Sequence, residues 1–150
     1  MTPRTFKGPA LQAIDTWRIK HVTEEDNAGN TILITVPDDE EWQILSVYIS
    51  YTSSANVGNR RISFTASDIG GAGVYYMEAG VLQPASQAYG YVFGSGVPLQ
   101  VVLPTSKVLT IPIPTTILAP EQYIVGTDTA AIDAATDGIR MDVQYAYRKI

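Results

Sequence analysis

A chain of 150 residues, 45% hydrophobic and 17% charged, has the composition of one ordinary globular domain, long enough to bury a core without covalent staples. A formal charge of −5, with no basic run longer than a pair such as Arg60-Arg61, excludes the Lys/Arg stripe of a nucleic-acid binder. Cysteine is absent, which removes disulfides and thiolate metal ligands.

Residues 1–14 carry Pro3, Gly8 and Pro9 with scattered charge and no sustained period, and read as an extended arm ahead of a single domain over 15–150. The arm is either a frayed terminus or a strap over a neighbouring subunit anchored by Phe6 and Leu11. Its first eight residues lack the apolar centre of a signal peptide, and apolar stretches such as 44–49 are too short to cross a bilayer. The expectation is a protein made and folded in a cytoplasm, with no membrane partner.

From residue 15 onward the dominant period is two. Trp17, Ile19 and His21 share one face of a first strand, with Arg18 and Lys20 on the other. Residues 24–30 form a turn rich in Asp, Asn and Gly, and 31–36 a short strand ending at Pro37. The acidic run 38–41 reads as a solvated loop. Residues 42–52 make the longest strand, with Leu45, Val47, Ile49 and Tyr51 on one face and Trp42, Ile44 and Tyr48 on the other. Apolar groups on both faces predict a central strand covered on each side.

Residues 60–68 alternate with Ile62, Phe64 and Ala66 inward, and Arg61, Ser63, Thr65 and Ser67 outward. After a glycine turn at 70–73 come strands at 74–78 and 88–93, the latter with Tyr89, Tyr91 and Phe93 on one face. Pro98 and Pro104 make 94–105 mostly loop, with an edge strand over 99–103. Strands at 108–113, 122–126 and 138–148 follow, and an alanine-rich stretch at 129–135 allows one helical turn. Roughly eight to ten strands at this spacing predict an all-β, antiparallel β-sandwich, with a jelly roll as the specific expectation.

The catalytic inventory is thin. The one histidine, His21, sits mid-strand with no serine-glycine elbow near it, and no phosphate loop is present. Nothing marks two carboxylates of 38–41 as converging on a cleft. Asp128, Asp133 and Asp137 have calcium-type oxygens but not the spacing of a calcium loop, and also read as turn caps. The expectation is no enzyme, no cofactor, no metal and no small-molecule substrate. Nine tyrosines against three phenylalanines suit surfaces where a ring is buried and its hydroxyl stays wet. Tyr48, Tyr75, Tyr76, Tyr89 and Tyr91 are therefore candidates for an interface or for sugar-stacking platforms, beside the plain reading that they fill the core.

The run from Glu41 to Thr52, Glu-Trp-Gln-Ile-Leu-Ser-Val-Tyr-Ile-Ser-Tyr-Thr, is followed by Val57-Gly58-Asn59-Arg60-Arg61. Together they resemble small virion proteins encoded among the head genes of tailed bacteriophages. Ala85-Ser86, Tyr91, Phe93 and Gly96, and the stretch 128–137 around Ala131-Ile132-Asp133, resemble the same group. The resemblance covers roughly 41–143. It implies a capsid decoration, or cement, protein: a β-sandwich, often trimeric, seated on the outside of the shell and clamping the major capsid protein. A carbohydrate-binding module, or a fibre or tail domain, is the alternative; a hydrolase built on the acidic loop is a third.

Overall fold

The computed structural model describes residues 16–26 and 29–150. Ten strands follow in order: β1 (Arg18–Asp26), β2 (Thr31–Thr35), β3 (Glu40–Thr52), β4 (Ile62–Ser67), β5 (Gly73–Glu78), β6 (Ala88–Gly94), β7 (Val108–Pro112), β8 (Ile117–Leu118), β9 (Tyr123–Asp128) and β10 (Gly138–Lys149). They form two sheets, one ordered β1-β10-β3-β6-β7 with β8 attached to β3, the other β2-β9-β4-β5. With β7 and β8 set aside, the sheets read 1-10-3-6 and 2-9-4-5. Successive strands of these eight therefore cross between sheets, except β4 to β5, which stay in one, while first pairs with last, the double Greek-key order of a jelly roll. Every pairing is antiparallel except β6 with β7, which is parallel.

The inward faces meet as matched rows. In the larger sheet, Tyr51, Ile49 and Val47 lie opposite Ile139, Met141 and Val143 on one side, and opposite Tyr89, Tyr91 and Phe93 on the other. Ile32, Ile34, Ile124, Ile62, Phe64 and Ala66 close the core from the second sheet. Gly126 faces that core: a Cβ there would come within 2.9 Å of Ile49 Cδ1 and Met141 Sδ, so the missing side chain lets the sheets approach.

The long strand β3 is central, though not because both of its faces are covered. Its register against β10 shifts so that Ser46 pairs with Gln144 and Ile44 with Tyr145, leaving Leu45 unpaired as a β-bulge. The bulge reverses the alternation. Trp42 and Ile44 before it, and Val47, Ile49 and Tyr51 after it, all point into the one core. Trp42 stacks on Tyr145 there, ring centroids 3.8 Å apart.

Other expectations need correction. In β1 the partners Lys20–Tyr145 and Val22–Val143 put the even residues on the core side, so Ile19 and His21 face solvent. Val22 alone in this strand packs on the core, whereas Arg18, Lys20 and Glu24 line the inner side, and the Lys20 ammonium lies 4.4 Å from the Tyr147 ring centre. Inward charge on an edge strand discourages pairing with another sheet. The acidic run is not wholly solvated, because Glu40 is buried, accepts from Trp42 Nε1 at 2.6 Å and pairs with Lys149 at 3.0 Å. Ser63 and Ser67 are buried although they face outward. No strand forms over 99–103. There Gln100 bonds Thr110 of β7 through its backbone N–H and its side-chain oxygen, which blunts that edge. Residues 129–137 hold turns rather than a helix. The expected arm, with Phe6 and Leu11, lies outside the described residues.

Candidate functional site: a buried ion pair beneath four loops

Jelly-roll topology brings the β1–β2, β3–β4, β5–β6 and β9–β10 connections to one end of the sandwich. Loops on a rigid scaffold are the usual carriers of function. Here they are stitched together: Gly29 N–H donates to Asp137 O, Ser53 N–H to Gln87 O, and Arg60 and Gln83 exchange two backbone bonds.

Beneath the loops lies Arg60, fully buried and among the largest side chains wholly shut off from solvent. Its Nε and Nη2 donate to the two carboxylate oxygens of Asp137 at 3.0 and 3.1 Å, a two-point fork on an equally buried acid. The remaining guanidinium donors reach Gly58 O at 2.7 Å, Asn56 O at 2.9 Å and Ser54 Oγ at 3.1 Å. Asp137 also accepts from Ser54 N–H at 2.7 Å and from the Tyr51 hydroxyl at 3.0 Å. Burial works to raise the Asp137 carboxyl, but donation from Arg60, Ser54 and Tyr51 outweighs it and holds the group below its ordinary value. The Tyr51 phenol is pushed well up by burial and by the two nearby aspartates.

Around this pair the polar groups are answered one by one. Asp128 accepts from Arg61 N–H at 2.8 Å and Ala130 N–H at 2.9 Å. Gln83 donates to Tyr51 O and Gln87 O, both at 2.9 Å, and accepts from the Tyr91 hydroxyl at 2.8 Å. Asp133 holds Ser54, Asn56 and Thr136. The three aspartates considered as calcium ligands thus cap turns and anchor an arginine. Among the described residues no group of three or more such side chains is placed to hold a metal. The network's chemistry is positional: buried charge fixes loop geometry, and Asp137 has no free lone pair facing a cleft.

Gly58 adopts φ +145°, in the region glycine favours, and a Cβ there would press on Ile132 at 2.9 Å. At the tip above it Val57 is 94% exposed.

The candidate tyrosines are dispersed. Tyr89 and Tyr91 lie in the core, so a partner docking on the folded sandwich cannot reach them. Tyr75 packs toward Phe64, and burial pushes its phenol up to about 12. Tyr76 is half exposed on the outer face of the smaller sheet, where its hydroxyl donates to Glu78 at 2.6 Å. Tyr48 is 38% exposed on the outer face of the larger sheet. Phe6 and Leu11 lie outside the described residues. Sequence reasoning missed the exposed group Leu99, Val101 and Val102 on the β6–β7 connection, which packs beside Gly80. Three apolar residues in a stretch taken for an edge strand were its signal.

No protein-family model and no curated protein matches the chain. Among solved structures, one similarity is to dimeric latent PorU from Porphyromonas gingivalis, at 10% identity and TM-score 0.46, covering 89% of this chain. Two others are to infectious bursal disease virus: the Gx strain structure (14% identity, TM-score 0.32, 91% covered) and the T13 viral particle (10%, 0.34, 99%). The chain spans 13% of the first protein and 37% and 40% of the other two. Likeness at this level carries no functional argument. The class is set by the chain's own strand order, an all-β jelly-roll sandwich.

Proposed function

We propose that this chain is a structural protein of a virion, specifically a decoration (cement) protein of a tailed bacteriophage. In this reading it is made in the host cytoplasm, forms a homotrimer and sits on the capsid exterior, where it clamps the major capsid protein. The observation that carries the reading is where the resembling segments meet. Gly58 and Arg60 from one segment, and Asp128, Asp133 and Asp137 from another, meet in one hydrogen-bonded network around the buried Arg60–Asp137 pair. A rigid loop end over a disulfide-free sandwich suits a clamp that works by contact. Of the acidic run 38–41, Asp39 and Glu40 pair with Lys149 and Glu41 with Arg148. Leu99, Val101, Val102 and the tip residue Val57 are among the exposed apolar groups that assembly would cover.

The test has two parts on the full chain. Light scattering across a dilution series is expected to give a stable trimer. Co-sedimentation with expanded, empty heads of the major capsid protein encoded beside it is expected to show saturable binding. A monomer with no affinity for such heads overturns the proposal.

A further inference from the structure

Tyr48 occupies the middle of the larger sheet's outer face, and its surroundings are those of a ligand site. Strand registers place Thr23, Asp142, Tyr48 and Val92 in one row across β1, β10, β3 and β6. The next row is His21, Gln144, Ser46 and Gly94; the row on the other side is Glu25, Arg140, Ser50 and Gly90.

Gly90 decides how the tyrosine lies. A Cβ there would fall 2.5 Å from the Tyr48 hydroxyl oxygen and 3.0 Å from Cε2 and Cζ. The ring therefore leans along the sheet over the glycine, one side on backbone and the other toward solvent. Beside it is a depression of ≈ 320 Å³ lined by His21, Ser46, Tyr48, Val92, Asp142 and Gln144. A second of ≈ 320 Å³ continues along the same strands past Ser50, Thr52 and Arg140.

The polar groups at the first depression are of two kinds. Asp142 is already oriented, accepting from Thr23 Oγ1 at 2.6 Å with Arg140 at 3.4 Å and His21 Nε2 at 3.9 Å. Among the described residues neither Ser46 nor Gln144 commits its side chain to a hydrogen bond, which leaves a hydroxyl and an amide open to a ligand.

We propose that this face binds a neutral oligosaccharide. The Tyr48 ring stacks on the C–H face of one pyranose, while Gln144, Ser46 and Asp142 hydrogen-bond its hydroxyls. A pyranose has an apolar face and a hydroxyl rim, and a flat ring with donors and acceptors at its margin complements both. The charged groups on the face, Asp142 and Glu25 against Arg140, leave it net negative, which favours a neutral glycan over an anionic one. The two depressions lying end to end favour several sugar units over one.

The experiment is a set of heteronuclear NMR titrations of the isolated chain with three neutral hexasaccharides, built of β-linked glucose, mannose or N-acetylglucosamine. Working on the isolated chain makes the result independent of any affinity for a capsid. At least one sugar is expected to give saturable shifts confined to β3, β6 and β10 around Tyr48. Tyr48→Ala is expected to weaken binding by roughly tenfold or more, while Tyr48→Phe keeps the stacking face and retains it. Gln144→Ala is expected to weaken it less, and Tyr76→Ala, on the opposite sheet, leaves it unchanged. Thermal melts of each variant separate lost binding from lost fold. If Tyr48→Ala does not fold, Gly90→Ala, which pushes the ring off the sheet, takes its place and is expected to weaken binding. No saturable shift with any of the three sugars, or binding indifferent to both Tyr48→Ala and Gly90→Ala in folded protein, overturns the proposal.

Discussion

Arg60→Ala tests whether the loop end depends on its buried ion pair. The substitution strands Asp137, which is fully buried and loses two of its four donated hydrogen bonds. Removing one member of a buried pair costs about 3–5 kcal/mol, mainly through the uncompensated charge left behind. Against a domain stability of about 5–15 kcal/mol, that removes between about a fifth and all of it. Urea melts at neutral pH read the cost, with the slope checked for two-state behaviour. Asp137→Ala strands the guanidinium instead and is expected to cost a similar amount. The double variant leaves no orphan charge, so it is expected to cost less than the sum of the singles by about 1–3 kcal/mol. Single costs below about 1 kcal/mol, or strictly additive ones, would refute the reasoning. The pH dependence gives an independent reading. Because the folded Asp137 carboxyl is held below its ordinary value, its stabilising contribution is complete above the unfolded carboxylate value of about 3.9. It is lost as pH falls through the lowered folded value. Arg60→Ala removes the largest of the lowering influences, so the acid-unfolding midpoint moves to higher pH; an unmoved midpoint argues against the pair.

Three further outcomes follow from packing. Deleting Leu45 removes the bulge and leaves Trp42, Ile44, Val47, Ile49 and Tyr51 in regular alternation on the inward face, so near-ultraviolet circular dichroism should retain a native signal. Tyr91→Phe leaves Gln83 Oε1 without its donor and is expected to lower stability by about 1–3 kcal/mol in the same urea assay. Val57→Asp, at an almost fully exposed tip, should change stability by no more than about 0.5 kcal/mol while weakening binding to capsids, which co-sedimentation reads.

Most of the fold was legible because period two survives in the unbulged strands that carry one buried face. Strands β4, β6 and β10 follow the alternation read from sequence, with Ile62, Phe64 and Ala66, then Tyr89, Tyr91 and Phe93, then Ile139, Met141 and Val143 inward. The misread strands fail for local reasons. In β3 an unpaired Leu45 shifts the parity, so one continuous inward face looks in sequence like two apolar faces. In β1 the edge position leaves both faces largely exposed, so apolar Ile19 carries no information about direction. The parallel pairing of β6 with β7 has no signature in either segment, because it depends on the path of the intervening connection.

The loop end was legible only in halves. Gly58, Arg60, Asp128, Asp133 and Asp137 each stood out locally, as turn glycine, basic pair or acidic punctuation, but Arg60 and Asp137 are 77 residues apart. A charge in a sequence reads as surface unless its partner is known, since burying it alone is prohibitive. The partner becomes visible only when the jelly-roll crossing brings the β3–β4 and β9–β10 connections together. The tyrosine excess fails as a guide for the same reason. Tyr51 and Tyr91 are inside, where Asp137 and Gln83 accept from their hydroxyls, while Tyr48 is on the outer face, its ring lying over Gly90, the residue of β6 diagonal to it. Tyr48, 38% exposed and lying over Gly90 with no acceptor for its hydroxyl among the described residues, keeps both its ring face and its hydroxyl open to a ligand.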